Sequence, residues 1–186
     1  MTAEVSLKNQ FLLAMPNQAG TYFGDTATYL CEHNADGAMG LMINRPTDVT
    51  LAELLSQLGV DPRGKLNDVP VMEGGPVARD RGFILHDKDE RFATSLPLGN
   101  GVMLSTAREI LEAIATGDGP ANYLVALGYA GWGGGQLEAE LKENAWLTCP
   151  GDSAILFNTP YEERVNKAAA ALGIDFRLMS AQAGHA

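Results

Sequence analysis

The chain has 186 residues, 46% of them hydrophobic and 19% charged, which is typical of one globular domain that buries roughly 70% of its unfolded surface. Its 13 basic and 23 acidic residues give a net charge of −10, which disfavours direct nucleic-acid binding because DNA affinity depends on Lys and Arg neutralising phosphates. No apolar run approaches the ~20 residues of a membrane helix, and the N-terminus lacks a secretion signal. We therefore expect a cytoplasmic protein with no membrane contact.

Strands dominate the first half of the predicted structure, after residues 1–8, which are expected to form a flexible N-terminal segment. Short runs of apolar and β-branched residues between turn signals predict nine strands: Gln10–Met15, Thr26–His33, Ala38–Asn44, Val69–Met72, Gly82–His86, Val102–Leu104, Tyr123–Tyr129, Ser153–Phe157 and Phe176–Met179. Asn34-Ala-Asp-Gly37 predicts a hairpin turn in which Gly37 takes a positive φ.

Four helices are predicted, and three of them open with Thr followed three residues later by Glu, the capping-box pattern: Thr50 with Glu53, Thr106 with Glu109, and Thr159 with Glu162. The fourth helix carries Leu137 and Leu141 on one face. Early strands that form hairpins and later strands that alternate with helices indicate an α+β fold. We expect a single compact domain over 1–186, with a mixed, largely antiparallel sheet and about four helices packed on it.

The most unusual segment runs from Gly128 to Glu138 and contains five glycines and two aromatic residues within its first eight positions. Backbone amides before a helix can hold a phosphate, but the spacing matches neither a P-loop nor a dinucleotide fingerprint. We favour a structural interpretation, in which Gly131 to Gly135 form a tight turn with positive φ and Trp132 folds back onto the core. Trp132, Gly133 and Gly134 remain ligand-binding candidates.

Cys31 and His33 are the candidate catalytic pair. On a regular strand they share one face, where the histidine could lower the thiol pKa. The competing interpretation is a buried apolar cysteine, which we favour because free cysteines are among the most buried residues. Cys31 and Cys149 are the two cysteines of the chain, and their number agrees with a reducing compartment.

The three histidines, His33, His86 and His185, are far apart and show no metal-ligand spacing. We therefore predict no metal and no cofactor. His86 with Asp87 could act as an acid–base pair, but a histidine that ends an apolar strand more often hydrogen-bonds to a loop.

Two polar segments at strand ends, Asn44-Arg45-Pro46 and Glu73-Gly74-Gly75-Pro76, lead into turns, where binding sites often lie. Arg45 could pair with Glu73 or bind a ligand carboxylate bidentately. We favour the structural ion pair. Asn44, Arg45, Glu73 and His86 complete the set of ligand-binding candidates.

The order of several short motifs resembles the AlgH/YqgE family over almost the whole chain. Gly74-Gly-Pro-Val77 is followed by Leu85-His86 and then by Gly128-Tyr-Ala-Gly-Trp132 with Gln136-Leu-Glu138. The resemblance implies a compact α/β-type domain of the bacterial cytoplasm whose members often carry a transcriptional-regulator label.

Three functions follow. The first is a non-enzymatic regulatory or binding module for an unknown protein or small ligand, with any role in transcription being indirect. The alternative is a thiol-dependent redox sensor or enzyme using Cys31 with His33. The third is an enzyme that holds a phosphate-bearing ligand at the glycine cluster.

Overall fold

Ten strands and five α-helices make up the part of the chain that the computed structural model describes, which is residues 6–62, 66–89, 92, 95–106 and 108–175. The strands are β1 Gln10–Ala14, β2 Ala27–Asn34, β3 Gly37–Met42, β4 Pro46–Thr50, β5 Pro70–Glu73, β6 Val77–Asp87, β7 Leu96–Gly99, β8 Val102–Ser105, β9 Tyr123–Gly133 and β10 Trp146–Pro150. The helices are α1 Leu51–Gln57, α2 Arg108–Thr116, α3 Gln136–Lys142, α4 Ser153–Asn158 and α5 Arg164–Ala170, with short 3-10 helices at Pro16–Gln18, Leu66–Asp68 and Tyr161–Glu163.

Eight strands follow one another in the order β10-β1-β2-β3-β9-β6-β8-β7 and form a curled, mainly antiparallel sheet. The long strand β9 joins the two halves, since its C-terminal part pairs with β3 and its N-terminal part with β6. β5 adds a parallel pairing to β9, and β4 pairs with β5. The curl nearly closes, because Asn9 beside β1 donates to the carbonyl of Leu98 on β7 and accepts from the Tyr29 hydroxyl. The predicted α+β class and the single domain are confirmed.

Three apolar clusters fill the fold, one inside the curl and two outside it. The inner cluster takes residues from all eight strands of the curled sheet, and helices α4 and α5 pack against it with Leu156 and Ala168 among others. A second cluster joins α1 and α2 to the outer face of β5, β6 and β9. The third joins α3 to the outer face of the other half, around Leu30 and Trp132. Each strand of the curled sheet therefore contributes to the inner cluster on one face, and helices cover much of the outer face.

The last third of the chain differs from the prediction. Ser153–Phe157, predicted as a strand, lies in α4, because the Asp152 side chain caps that helix by accepting from the Ala154 amide at 2.9 Å. A short apolar run does not distinguish a strand from a buried helix by its periodicity. Thr159 is not an N-cap either, since it ends α4 and its hydroxyl donates to the carbonyl of Ala154.

The other predicted elements have mixed outcomes. The Thr50 cap of α1 is confirmed, with the Glu53 amide donating to the Thr50 hydroxyl at 3.2 Å. Gly37 has the expected positive φ, at 139°. Strands β4, β7 and β10 were not predicted. The predicted strand Phe176–Met179 lies outside the described residues, as do His185 and residues 1–5 of the N-terminal segment.

The predicted turn over Gly131 to Gly135 is wrong for its first half. Residues Gly131 to Gly133 continue β9 and pair with β3, with Ala38 opposite Trp132. Of the five positions only Gly135 has a positive φ, of 77°. Trp132 is buried because alternate side chains of a strand face one side, and it needs no backbone reversal to reach the core.

Candidate functional site

The curled sheet is open at the end that carries the β2–β3 hairpin. There a groove of about 730 Å³ lies between that hairpin and strands β6 and β9. At the other end of β3, Arg164 of α5 donates to the carbonyl of Ile43, so α4 and α5 lie away from the opening. We call this opening the mouth groove, and its lining includes Glu32, Asp36, Met39, Val77, Arg81, Phe83 and Tyr129.

The mouth groove combines an apolar floor with a charged rim. Phe83 and Tyr129 meet edge to face, with ring centroids 5.6 Å apart, and Met39 packs beside them against the inner cluster. The Arg81 guanidinium lies 5.5 Å from the centre of the Phe83 ring. Glu32 and Asp36 of the hairpin also line the groove. This arrangement suits a ligand with an apolar body and a polar group of either sign.

A second cavity of about 350 Å³ lies where β9 meets α3 and the 3-10 helix Pro16–Gln18. We call it the tryptophan cavity, and it is lined by Asn17, Gln18, Phe23, Gly131, Trp132, Gln136, Glu140, Glu143 and Ala145. Phe23 stacks on Trp132 with centroids 6.4 Å apart, and Trp146 packs edge-on against both rings. Trp132 therefore lines this cavity, and Trp146, the other tryptophan of the chain, packs behind its aromatic wall.

One carboxylate fixes the two tryptophans. Glu140 Oε1 accepts from Trp132 Nε1 at 3.1 Å and from Trp146 Nε1 at 2.9 Å. Glu140 Oε2 accepts from the Gln136 amide at 2.9 Å, and the other end of that amide accepts from the Gly133 backbone N–H. An indole N–H can only donate and needs a partner when it is buried. By accepting from both indoles, Glu140 of α3 ties β9 and β10 to that helix.

Arg45 and Glu73 do come together, as the sequence suggested, but loosely. Arg45 Nη1 is 4.0 Å from Glu73 Oε2, and Arg79 Nη2 is 3.8 Å from Glu73 Oε1. The direct hydrogen bond to Glu73 comes from the Tyr22 hydroxyl at 2.7 Å, and burial raises the pKa of Tyr22, with the Glu73 carboxylate adding to the effect. Both guanidiniums lie over the Tyr22 ring.

Asn44 and His86, the other ligand-binding candidates at strand ends, make separate contacts and do not join Arg45 and Glu73. Asn44 accepts from the Ala27 amide and donates to the Asp25 carbonyl, both at 2.9 Å, which pins the loop before β2. His86 is fully buried. Its Nδ1 lies 2.8 Å from the Asp87 carbonyl, an acceptor, so Nδ1 carries the proton and Nε2 accepts from the Ser95 hydroxyl.

Cys31 and His33 do not share a face, contrary to the sequence-based expectation. The pairing of β2 with β3 shifts register between Leu30 and Glu32, and such a bulge reverses the alternation of side chains. Cys31 therefore faces the inner cluster. His33 faces α3, where its Nε2 bonds to Glu138 at 2.7 Å while its Nδ1 accepts from the Leu7 amide. Burial raises the pKa of the Cys31 thiol to about 12.

The part of the chain that the structure describes has neither a metal site nor a membrane-spanning helix. No group of three or more His, Cys, Asp or Glu side chains there could hold a metal ion. Likewise, no helix among the described residues is long and apolar enough to cross a membrane.

Sequence reasoning missed most of the residues that line the two cavities. Arg81, Phe83 and Tyr129 come together only through the β6–β9 pairing, and no local spacing indicates that. Glu140 could have been suspected from the sequence, because it lies between the two tryptophans, Trp132 and Trp146, and each buried indole N–H needs an acceptor.

Comparison with known proteins identifies the family. The family model described as DUF179, AlgH-like, matches residues 11–177. The chain belongs to this AlgH-like family. It is 50% identical to a UPF0301 protein of Thioalkalivibrio sulfidiphilus, an alignment that covers 100% of both chains. It is 53% identical to the UPF0301 protein AlgH of Pseudomonas aeruginosa, over 97% of this chain and 96% of the relative.

Solved structures support the same fold. The solution structure of the AlgH protein from Pseudomonas aeruginosa matches with a TM-score of 0.81 and 51% identity, covering 100% of this chain and 99% of that one. The crystal structure of protein DIP2367 from Corynebacterium diphtheriae matches with a TM-score of 0.73 at 16% identity, over 97% and 94% of the two chains. The second likeness concerns the fold alone.

Proposed function

We propose that this AlgH-like protein is a cytoplasmic, non-enzymatic binding module that acts in regulation, and that its ligand is a small organic molecule held in the mouth groove. The observation that carries the proposal is the open end of the curled sheet, with its groove of about 730 Å³, aromatic floor and charged rim. Ligand sites of this size occur preferentially in the mouths of barrel-like sheets.

The charged residues of the mouth groove favour a ligand with an anionic group. Arg81 contributes a cation above the Phe83 ring, and Glu32 and Asp36 contribute carboxylates from the hairpin. Arg81 is exposed and so keeps free donors for an anionic group. A flat or aliphatic body on Met39 and Tyr129, with a carboxylate or phosphate directed to Arg81, fits this lining best.

The thiol alternative has little support. A reactive thiol needs a lowered pKa and an exposed position, whereas Cys31 is buried with its pKa raised to about 12. His33 is on the other face of β2 and is bonded to Glu138. The phosphate-binding hypothesis for the glycine cluster is equally weak, because α3 is a short helix with Glu138 in its first turn.

Native mass spectrometry of the purified protein after incubation with a small-metabolite extract tests the proposal. We expect retention of one or a few small molecules by the wild type, and roughly tenfold weaker retention by Arg81→Ala, since a charge-assisted contact contributes about 1.5 kcal/mol or more. Lys167→Ala removes an exposed cation from α5 and should bind as the wild type does. Equal retention by both variants, or conversion of the retained molecule to a product, would contradict the proposal.

The regulator label is tested separately by fluorescence anisotropy with random and promoter-derived duplex DNA. We expect no tight binding at physiological salt, because the chain carries a net charge of −10. Nanomolar binding that weakens with added salt would mean direct rather than indirect regulation.

A further inference from the structure

The tryptophan cavity has an unusual balance of hydrogen-bonding groups. Its side chains include two carboxylates, three amides and two aromatic rings, but no Lys, Arg or His. The amide nitrogens of Asn17 and Gln18 are already used, since they donate to the carbonyls of Asn144 and Ala145 at 3.3 and 2.7 Å. Their amide oxygens accept no hydrogen bond from the described residues. The cavity therefore offers acceptors and few donors.

The charge of the cavity is also uncompensated. Glu140 is stabilised by two indole N–H groups and one amide, all of them neutral donors. Within the described residues, no cationic group lies within 4.0 Å of either Glu140 or Glu143. The Glu143 side chain is exposed and makes no hydrogen bond to the described part of the chain. Two negative charges thus meet at one small cavity without a counter-charge.

The aromatic rings reinforce the same preference. Phe23 is half-buried and stacks on Trp132, which is 6% exposed. Aromatic faces attract cations, and the attraction is stronger where water is partly excluded. The cavity thus has free acceptors, uncompensated negative charge and an aromatic face. A ligand that donates hydrogen bonds, carries positive charge and lies against Phe23 would match all three.

We propose that the tryptophan cavity binds an organic cation with N–H donors, a primary ammonium or guanidinium group, either as a free amine or as the side chain of a basic peptide. This site is separate from the mouth groove and does not depend on the function proposed for it. The two cavities share Gly131 and Trp132 in their linings. They lie on different faces of the sheet, because Phe83 and Tyr129 of the mouth groove belong to the inner cluster and Phe23 of the tryptophan cavity belongs to the third cluster.

Tryptophan fluorescence is a direct readout, because Trp132 lines the cavity and Trp146, the other tryptophan of the chain, packs against Trp132 and Phe23. We expect spermidine and agmatine to give saturable changes in emission, confirmed by calorimetry at constant ionic strength. Tetramethylammonium, which carries charge without N–H donors, should bind at least roughly tenfold more weakly. A short peptide with one Arg or Lys forms the second arm. Tighter binding of the peptide than of the free amines assigns the cation to a protein partner, and the reverse assigns it to a small molecule.

Glu143→Gln is the informative variant. The Glu143 side chain is exposed and makes no hydrogen bond or ion pair with the described residues, so the change should affect binding without affecting stability. We expect it to weaken spermidine binding roughly three- to tenfold. Glu109→Gln, the same change at an exposed position of α2, should leave binding unchanged. Phe23→Leu should weaken binding through loss of the aromatic face. Arg81→Ala should have no effect, which separates this site from the mouth groove.

Three results would overturn the proposal. The first is the absence of saturable binding of either amine or of the peptide by both fluorescence and calorimetry. The second is tetramethylammonium binding as tightly as spermidine. The third is Glu143→Gln binding as tightly as Glu109→Gln.

Discussion

Two glycine-rich regions of this protein look alike in sequence and have different constraints in structure. In the first, Gly74 and Gly75 pack directly against the backbone of β9. A Cβ on Gly75 would overlap the carbonyl group of Tyr129, and one on Gly74 would overlap the Gly128 carbonyl oxygen. In the second, Gly131 to Gly135, a Cβ on Gly131 would meet only the Tyr129 ring at 3.4 Å, and one on Gly135 would meet nothing within 4 Å.

The difference shows that glycine density does not locate the tightest backbone packing. Gly74 lies where the chain enters the gap between β3 and β9, donating to the Leu127 carbonyl while its own carbonyl accepts from the Met42 amide. Glycine is needed there because two main chains approach closely. In the more conspicuous cluster around Trp132, Gly131 to Gly133 are strand and Gly131 lines both cavities. Only at Gly134 would a Cβ meet main-chain atoms of another segment, at 2.8 Å from the Ala35 carbonyl oxygen.

The largest effect is expected from Gly75→Ala. The new methyl group would overlap main-chain atoms of Tyr129 and Ala130, and main-chain atoms of a central strand cannot move aside as a side chain can. We expect a loss of stability above about 5 kcal/mol, the exceptional range for one substitution, seen as failure to fold or a greatly lowered urea midpoint.

Gly82→Ala is the matched control, because Gly82 lies on β6 and a Cβ there has no neighbour within 4 Å. If both variants lose a similar amount of stability, close backbone approach is not the reason for Gly75.

The next largest effect is expected from Trp132→Ala. The ring is 6% exposed and contacts Phe23, Trp146 and Glu140. Removing a buried aromatic side chain costs roughly 3–5 kcal/mol, measurable as a lower midpoint in urea unfolding. An unchanged midpoint and slope would mean that the ring does not contribute to the core and serves a ligand instead.

Local sequence patterns predicted most of the strands and the capped helix α1, because period-2 alternation and Thr caps are local signals. They failed at α4, where an Asp152 cap decides between two conformations of the same apolar run. They also failed at Cys31 and His33, because a bulge in β2 reverses which face a side chain takes. The residues that line the cavities were not predicted for a further reason. Phe83 meets Tyr129 only after β6 pairs with β9, and the spacing of residues along the chain does not show which strands pair.

A smaller loss is expected from Glu140→Ala. Without this carboxylate the indole N–H groups of Trp132 and Trp146 lose their acceptor, and an unsatisfied buried donor costs about 1–3 kcal/mol. We expect roughly 2–3 kcal/mol in total by urea unfolding. Glu143→Ala, at the exposed C-cap of α3, should be nearly neutral. Equal stability of the two variants would show that water replaces the carboxylate.

Alkaline pH should destabilise the protein through its thiols. Burial raises the pKa of Cys31 to about 12 and that of Cys149 to about 11, from 9.0. A thiol with a raised folded-state pKa keeps its proton while the unfolded chain loses it, so stability falls as pH rises above 9. Between pH 9 and 10 we expect a loss of about 1 kcal/mol per thiol.

Measurement of this slope should stop at pH 10. Burial lowers the pKa of Arg164, and a lowered pKa of a cationic group changes stability with pH in the direction opposite to that of the thiols. Cys31→Val should reduce the slope by about a third, because burial also raises the pKa of Tyr22, Tyr29 and Tyr123, which act in the same direction as the two thiols. A slope that is unchanged by this substitution would assign the pH dependence to other groups.

The smallest effect is expected from Gly131→Ala, and it completes the comparison of the two glycine regions. Gly131 lies in β9 opposite Met39 and lacks the positive φ that the predicted turn gave it, so a side chain at this position causes no backbone strain. The added methyl group makes an ordinary contact with the Tyr129 ring. Alanine also restricts the unfolded chain, which favours the folded state by about 0.5 kcal/mol.

We therefore expect the free energy of unfolding of Gly131→Ala to be unchanged or raised by up to about 0.5 kcal/mol. Gly135→Ala, at a φ of 77°, should instead lose about 1 kcal/mol. Should Gly131→Ala prove the more damaging of the two, the cluster around Trp132 is constrained by something bound to it rather than by the geometry of β9.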